Sequence, residues 1–140
     1  MGLGMGQAYE TRNPRERPSK WRAQITYVHA VDISPDPARF ATAAGGDNKA
    51  SIWNIIIGER LVGPLQDNGY IAGVPFSPNG ERIATAVRGR SIHVFDSRNG
   101  DQLLTINASI PSGNPIPSLV WSNNGQQFFA ASSGRKNQVF

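Results

Sequence analysis

The sequence predicts an all-β protein built from a repeated unit of four short antiparallel strands. Three stretches align with one another: "VDISPDPARFATAA" from Val31, "VPFSPNGERIATAV" from Val74 and "LVWSNNGQQFFAAS" from Leu119. The chain also holds 15 glycines and 10 prolines in 140 residues. This composition favours short strands joined by tight turns over helices.

The repeat is anchored by three serines, Ser34, Ser77 and Ser122, which are separated by 43 and 45 residues. Asp-Pro or Asn-Gly follows each serine and indicates a turn. Downstream, "ASIWN" at 50–54 matches "IHVFD" at 92–96, and "GERLVGPL" at 58–65 matches "GDQLLTIN" at 100–107. A four-strand unit of 42–45 residues has the size of one propeller blade.

The alignment divides the chain into repeat copies and sets the expected strands. In the second copy, strands are predicted near 70–76, 82–87, 91–96 and 101–106, with turns at 78–80, 88–90 and 97–100. The expected copies are 23–65, 66–107 and a truncated third at 108–140. A closed propeller needs four to eight blades, so the predicted propeller is open and incomplete. We expect a fragment of a longer protein, with completion by a partner, self-assembly or a stable open stack as alternatives.

The first 22 residues differ from the rest in charge. They hold five Lys or Arg and two Glu, whereas the remaining 118 residues hold nine basic and eight acidic groups. Residues 1–22 are therefore predicted to form a disordered basic leader, and no nucleic-acid partner is expected. The leader lacks the apolar core of a signal peptide, and no run approaches 18 apolar residues. The expected location is the cytoplasm, with the nucleus as an alternative, and no membrane contact is expected.

These repeats resemble the WD40 repeat family, in a diverged, fungal-type form, over residues 25–140. The matching motifs are Ser-Pro-Asp or Ser-Pro-Asn, "FATAAGGDNKASIWN" and "IATAVRGRSIHVFD". The resemblance implies that Trp53-Asn54 and Phe95-Asp96 stand where the family ends its third strand with Trp-Asp. It also implies that Asp47 is the structural turn aspartate.

The chain departs from the family at several positions. The family's Gly-His pair is replaced by Ala23-Gln24, Gln66-Asp67 and Pro111-Ser112, and the turn aspartate is Gly89 and Gly134 in the later copies. In the family, a His, a Ser or Thr, an Asp and a Trp form an internal set of hydrogen bonds. This set is therefore incomplete in every copy here. The structural positions that the resemblance assigns are Ser34, Thr42, Asp47, Trp53, Ser77, Phe95, Asp96, Trp121 and Phe140.

Few residues have the pattern of an active site. The chain has no cysteine and two histidines, His29 and His93, so a thiolate or His-rich metal site is not expected. Both histidines are interpreted as packed or rim residues, with His93 on the same sheet face as Phe95. "AAGGDNKAS" at 43–51 lacks the spacing of a phosphate-binding loop. No catalytic residue, cofactor or metal is predicted.

Three features are candidate partner contacts. Ile55, Ile56 and Ile57 align with the turn at 97–99. They are interpreted as a degenerate turn that leans on the blade edge or on other parts of the molecule, as an exposed apolar anchor, or as a longer strand. Arg88 and Arg90 stand in a tight turn without an acidic partner in the repeat. The loop at 107–118 contains Pro115 and Pro117 and links copies two and three.

The sequence thus predicts a non-catalytic protein-interaction module or scaffold. Its partners are expected to be proteins, and self-association through open blade edges is a further expected mode. The alternative hypothesis is a sensing or scaffolding arm of a larger signalling or enzymatic protein whose catalytic domain lies elsewhere. A propeller hydrolase is a third hypothesis, which requires an acid/base or metal set near the channel.

Overall fold

The chain folds into short strands joined by turns. The computed structural model describes residues 6–9, 20–24, 28–44, 48–67, 69–87, 91–107, 118–131 and 138–139. The strands within this part are β1 (Gly6–Tyr9), β2 (Lys20–Gln24), β3 (Val28–Ile33), β4 (Arg39–Ala44), β5 (Lys49–Asn54), β6 (Arg60–Gln66), β7 (Ile71–Gly73), β8 (Arg82–Val87), β9 (Ser91–Asp96), β10 (Gln102–Asn107), β11 (Ser118–Trp121), β12 (Phe128–Ala131) and β13 (Gln138–Val139).

The strands form separate antiparallel sheets in chain order. Strands β3 to β6 make one four-stranded sheet, called blade 1, and β7 to β10 make blade 2. Strands β11 to β13 make a three-stranded sheet, blade 3. The predicted all-β class with four-stranded antiparallel blades is confirmed. Among the described residues, no helix is long and apolar enough to cross a membrane.

A further strand pair lies at the start of the chain, where the sequence analysis expects disorder. Strand β1 pairs antiparallel with β2, with Gly6 opposite Gln24 and Tyr9 opposite Lys20. The pairing satisfies backbone donors and acceptors between the two segments. Strand β2 also crosses the expected boundary at residue 22. The division of the chain at that residue stays a prediction.

In the second copy, the predicted strands agree with the structure except at the first. The predicted ranges 82–87 and 91–96 are β8 and β9, and β10 begins one residue later than expected. Strand β7 ends at Gly73, and Phe76 joins Ile83 by an isolated bridge. Pro75 interrupts the ladder because it has no N–H to donate. Residues 88–90 lie outside the described part.

The central strands are buried on both faces. Strands β8 and β9 are buried at five of their six positions each, whereas the outer strand β10 is largely exposed. A strand between two neighbouring sheets buries both sets of alternating side chains. The blades therefore pack face to face, and the core lies between them.

Two apolar clusters hold the blades together. The first lies between blades 1 and 2 and combines three alanines of blade 1 with larger apolar residues of both blades; its members are Ala41, Ala43, Ala50, Ile52, Val62, Leu65, Ile71, Val74, Phe76, Ile83 and Phe95. The second lies between blades 2 and 3 and contains Ala84, Ala86, Ile92, Val94, Leu119 and Trp121. The repeated alanines let neighbouring sheets approach closely. Each fully buried isoleucine contributes about 1.5–3 kcal/mol to folding.

Candidate functional site

The anchoring serines build the same turn in all three blades. In blade 1 the Ser34 amide donates to the Arg39 carbonyl at 2.9 Å, and the Arg39 amide donates to Ser34 Oγ at 3.0 Å. The corresponding bonds in the other blades, at 2.8–3.1 Å, join Ser77 with Arg82 and Ser122 with Gln127. Each serine hydroxyl also donates to the side-chain oxygen two residues later, which belongs to Asp36, Asn79 or Asn124.

One of these turns is electrostatically distinct because its acceptor is a carboxylate. The hydrogen bond from the Ser34 hydroxyl lowers the pKa of Asp36, and the backbone amide of Ala38 lowers it further. Hydrogen bonds to the charged form of a carboxyl group favour that form. Blades 2 and 3 have asparagine here, so the titration is confined to blade 1.

In blade 1, part of the family's internal set of hydrogen bonds is formed around Trp53. The indole Nε1 donates to Thr42 Oγ1 at 2.9 Å, and both side chains are buried. Phe40 stacks on Trp53 with ring centroids 6.3 Å apart. Asp47, the third residue that the family resemblance assigns to this set, lies outside the described residues.

Blade 2 contains a different buried polar cluster, which the sequence analysis missed. The Asp67 carboxylate accepts a hydrogen bond from Thr85 Oγ1 at 2.6 Å and lies 2.9 Å from His93 Nδ1. His93 Nε2 lies 3.2 Å from Ser91 Oγ. The repeat alignment could have identified this cluster. It sets Thr85 at the position of Thr42 in the first copy, and it sets Asp67 at the position where the family has its histidine.

The chain of Ser91, His93 and Asp67 has the order of a nucleophile, a base and an orienting acid. However, Ser91 is 4% exposed and His93 8% exposed, so a substrate has no open approach to the hydroxyl. The Asp67 amide donates to the Asn48 carbonyl in blade 1 at 2.9 Å, so the cluster ties blade 1 to blade 2. We assign it a structural role. Within the described part of the chain, no three His, Cys, Asp or Glu side chains could hold a metal ion.

The isoleucine stretch forms the turn between the third and fourth strands of blade 1. Asn54 Oδ1 accepts from the amides of Ile56 and Ile57 at 2.8 and 3.1 Å. The corresponding turn of blade 2 is built in the same way, with Asp96 Oδ1 accepting from Arg98 and Asn99 at 2.8 and 3.2 Å. Turn geometry therefore does not require isoleucine at the tip.

The three isoleucines have different environments. Ile55 is half-buried and packs against the Phe40–Trp53 pair, as the interpretation of residues leaning on the blade edge expects. Ile56 and Ile57 are 54% and 60% exposed. Strand β5 ends at Asn54, so the alternative of a longer strand is wrong.

Some of the positions predicted from the sequence lie outside the described residues; these are Asp47, Arg88, Arg90, Pro115, Pro117 and Phe140. Only the backbone of His29 is described. The other predicted positions lie within the blades. Trp121 donates its indole N–H to the Pro75 carbonyl at 3.1 Å, and Phe95 meets the ring of His93 edge-on at 6.3 Å.

Arg39 joins blades 1 and 2 and was not singled out from the sequence. Its guanidinium donates to the carbonyl and hydroxyl oxygens of Ser97 at 2.8 and 3.1 Å and to the Gly80 carbonyl at 2.9 Å. It also lies over the Phe76 ring, 5.4 Å from the centroid. One side chain thus binds two turns of the next blade. The signal in the sequence was the repetition of this arginine as Arg82.

A family model described as "WD domain, G-beta repeat" matches residues 19–54. The chain is 32% identical over 111 residues to the small ribosomal subunit protein RACK1 of Caenorhabditis elegans. The matched region covers 74% of this chain and 33% of that protein. It is also 32% identical over 120 residues to the Drosophila melanogaster protein of the same name, covering 81% of this chain and 37% of that protein.

A more distant relative is WD repeat-containing protein 1 of Bos taurus. The identity is 26% over 115 residues, which cover 81% of this chain and 19% of that protein. The chain therefore spans about a third of the RACK1 proteins and about a fifth of this relative.

Proposed function

This chain carries WD40 repeats arranged as blades of a partial β-propeller, and we propose that it is a non-catalytic scaffold that binds protein partners inside the cell. The names of two relatives place those proteins in the small ribosomal subunit, an assembly of many components. The ribosome is therefore the first assembly to test for this chain. The fungal-type attribution and the partner itself remain predictions.

The observation that carries the proposal is the exposed pair Ile56 and Ile57. Both amides are fixed by Asn54 Oδ1, so the apolar side chains are presented on a rigid turn. The equivalent turn of blade 2 has exposed Arg98 and Asn99 at its tip. Preformed apolar anchors bind partners well because little conformational entropy is lost on association.

The test replaces the anchors with the residues of the equivalent turn. The double variant Ile56→Arg, Ile57→Asn keeps Ile55 and the Asn54 cap. We expect it to unfold in urea within about 0.5 kcal/mol of the parent chain. Its affinity for the principal partner is expected to fall by about 30-fold, as for the loss of a hot spot worth about 2 kcal/mol.

The measurement is quantitative affinity capture, followed by sucrose-gradient sedimentation with purified small ribosomal subunits. The control variant, Arg98→Ala with Asn99→Ala, alters the equivalent turn of blade 2 and is expected to keep full binding. Equal capture by the double variant and the parent would exclude the isoleucine pair as the anchor. Absence of any stoichiometric protein partner would contradict the scaffold function.

A further inference from the structure

The outer strand of blade 2 is an exposed sheet edge. Strand β10 lies at the edge of its sheet and, among the described strands, pairs with β9 alone. Five of its six residues are exposed. Blades 1 and 3 pack against the two faces of this sheet and, in the part of the chain that the structure describes, leave its edge uncovered. The edge therefore belongs to a four-stranded blade with a described blade on each side.

The hydrogen bonds of β9 show which backbone groups of β10 point away from the blade. The Asp96 amide donates to the Asp101 carbonyl at 2.8 Å. Backbone groups alternate along an antiparallel strand, so Val94 also faces β10, whereas His93 between them faces β8. Thr105 lies opposite His93. Its N–H and C=O therefore point outward, to the free edge.

The matching edge of blade 1 is blocked. Gly63 and Pro64 stand in β6 where Thr105 and Ile106 stand in β10. The β5–β6 register shifts on both sides of Ile52. Pro64 has no N–H to donate, and Gly63 has a φ of +105°, so an added strand could not continue past them. Of these two edges, only that of β10 is suited to pairing.

Strand β10 is also complementary to itself. Its sequence, QLLTIN, contains no charged residue and no proline, so two copies bring no like charges together. Its register with β9 is continuous from Leu104 to Asn107. An antiparallel pair with Thr105 opposite Thr105 sets each Leu104 opposite Ile106 of the other copy. Pairs of threonines and pairs of large apolar residues stabilise neighbouring antiparallel strands.

We propose that two copies of this chain dimerise through their β10 strands, which pair antiparallel and join the two copies of blade 2 into one continuous sheet. The Thr105 N–H of each copy donates to the Thr105 carbonyl of the other. The occupant is a second copy because a two-fold axis at Thr105 matches the outward donor and acceptor of one edge with those of an identical edge. The dimer presents the turn of Ile56 and Ile57 twice, but the proposal does not rest on the scaffold function.

The test measures the mass of the full chain by sedimentation equilibrium from about 1 µM to about 1 mM. We expect the mass to rise from that of one chain to that of two. Amide exchange measured by NMR over the same range identifies the surface. Exchange of the Thr105 amide is expected to slow by about 10-fold or more as the dimer forms, because that N–H becomes hydrogen-bonded.

Substitutions of Thr105 test the pairing directly. Thr105→Pro removes the outward N–H, which the blade itself does not use, and is expected to weaken the dimer by about 10-fold or more. Thr105→Lys serves if the proline variant folds poorly, because it places like charges opposite each other. Thr105→Glu is expected to be monomeric for the same reason. An equal mixture of the Lys and Glu variants is expected to dimerise again.

The control variant Leu61→Lys places the same charge on β6, the blocked edge of blade 1, and is expected to dimerise as the parent does. A parent that stays monomeric up to about 1 mM would overturn the proposal. Equal dimerisation of Thr105→Pro, unchanged exchange of the Thr105 amide, or a Lys and Glu mixture that stays monomeric would overturn it as well. A monomeric parent whose protein capture is lost in Thr105→Pro would identify an extended segment of another protein as the occupant.

These results are independent of the test of the scaffold function. The double variant Ile56→Arg, Ile57→Asn leaves β10 unchanged and is expected to dimerise as the parent does. A monomeric chain that still captures its partner through the isoleucine turn would remove the dimer alone. A dimer without a stoichiometric protein partner would remove the scaffold function alone.

Discussion

At the scale of single residues, the serine turns show how one hydrogen-bond pattern is repeated with different chemistry. Ser34, Ser77 and Ser122 each accept a hydrogen bond from and donate one to the residue five positions later, which begins the following strand or directly precedes it. Blade 1 alone supplies a carboxylate, Asp36, where the other blades supply an asparagine. The geometry is conserved within the molecule, but only blade 1 couples this turn to pH.

Asp36 gives a prediction about stability and pH. Its pKa in the folded chain is lowered, first by the Ser34 hydroxyl, relative to an unfolded value of about 3.9. Its contribution to stability is therefore complete above the unfolded pKa and is lost as the pH falls through the lowered folded pKa. Asp36→Asn keeps the acceptor oxygen but does not titrate, so the parent should lose more stability than this variant below about pH 4.

Urea unfolding of both chains between about pH 6 and pH 2.5 measures this difference. The reciprocal variant Asn79→Asp places a carboxylate in the blade 2 turn and should gain a pH dependence of the same sign. Parallel stability curves for the parent and Asp36→Asn would show that the charged form of Asp36 does not stabilise the fold.

At the scale of structural elements, equivalent segments of the repeat have diverged in their contacts. The β5–β6 and β9–β10 turns have the same hydrogen bonds, yet one has an apolar tip and the other a polar one. Arg39 and Arg82 likewise begin equivalent strands, β4 and β8, but within the described part of the chain only Arg39 has hydrogen-bond partners for its guanidinium. Equivalent positions in the repeat therefore make different contacts, according to which residues surround them.

The arginine pair gives a matched prediction. Arg39→Ala removes three hydrogen bonds from a charged donor and its contact with the Phe76 ring. Hydrogen bonds to charged groups contribute about 1.5–3 kcal/mol, and we expect a loss in that range in urea unfolding. Arg82→Ala should change stability by less than about 0.5 kcal/mol. Equal effects of the two substitutions would contradict the assignment of Arg39 as a link between blades.

At the scale of the whole molecule, stability is carried by the contacts between neighbouring blades. The two apolar clusters lie between sheets, so each blade depends on the one beside it, as in other repeat proteins. Exposed apolar side chains remain on the first strands of blades 1 and 3, with Val31 of β3 at 62% and Val120 of β11 at 55%. Self-association through open blade edges, which was expected from the sequence, stays a prediction.

Ile52 gives a prediction about this dependence between blades. It is fully buried in the cluster that joins blades 1 and 2, and Ile52→Ala should reduce the free energy of unfolding by about 2–5 kcal/mol. Amide exchange should become faster in both of these blades. The control Val31→Ala, at an exposed site, should have little effect. Faster exchange confined to blade 1 would contradict cooperative packing across the seam.

The sequence by itself determined the strand repeat and the turns. Short apolar stretches punctuated by Ser-Pro, Asn-Gly and Asp placed β8, β9 and the turn at 55–57, because local backbone preferences and alternation set these features. The pairing of Trp53 with Thr42 was also predictable through the family resemblance.

Tertiary structure decided which side chains that are distant in the sequence meet. Within blade 2, Asp67 meets His93 and Thr85, and across the seam between blades 1 and 2, Arg39 reaches Ser97, 58 residues along the chain. The contacts of Arg39 depend on how one sheet is placed on the next, which spacing within a repeat does not specify. Within blade 1, the packing of the turn at 55–57 on β4 and β5 separates Ile55, which contacts the Phe40–Trp53 pair, from the exposed Ile56 and Ile57. Distances between blades are fixed only when neighbouring sheets pack.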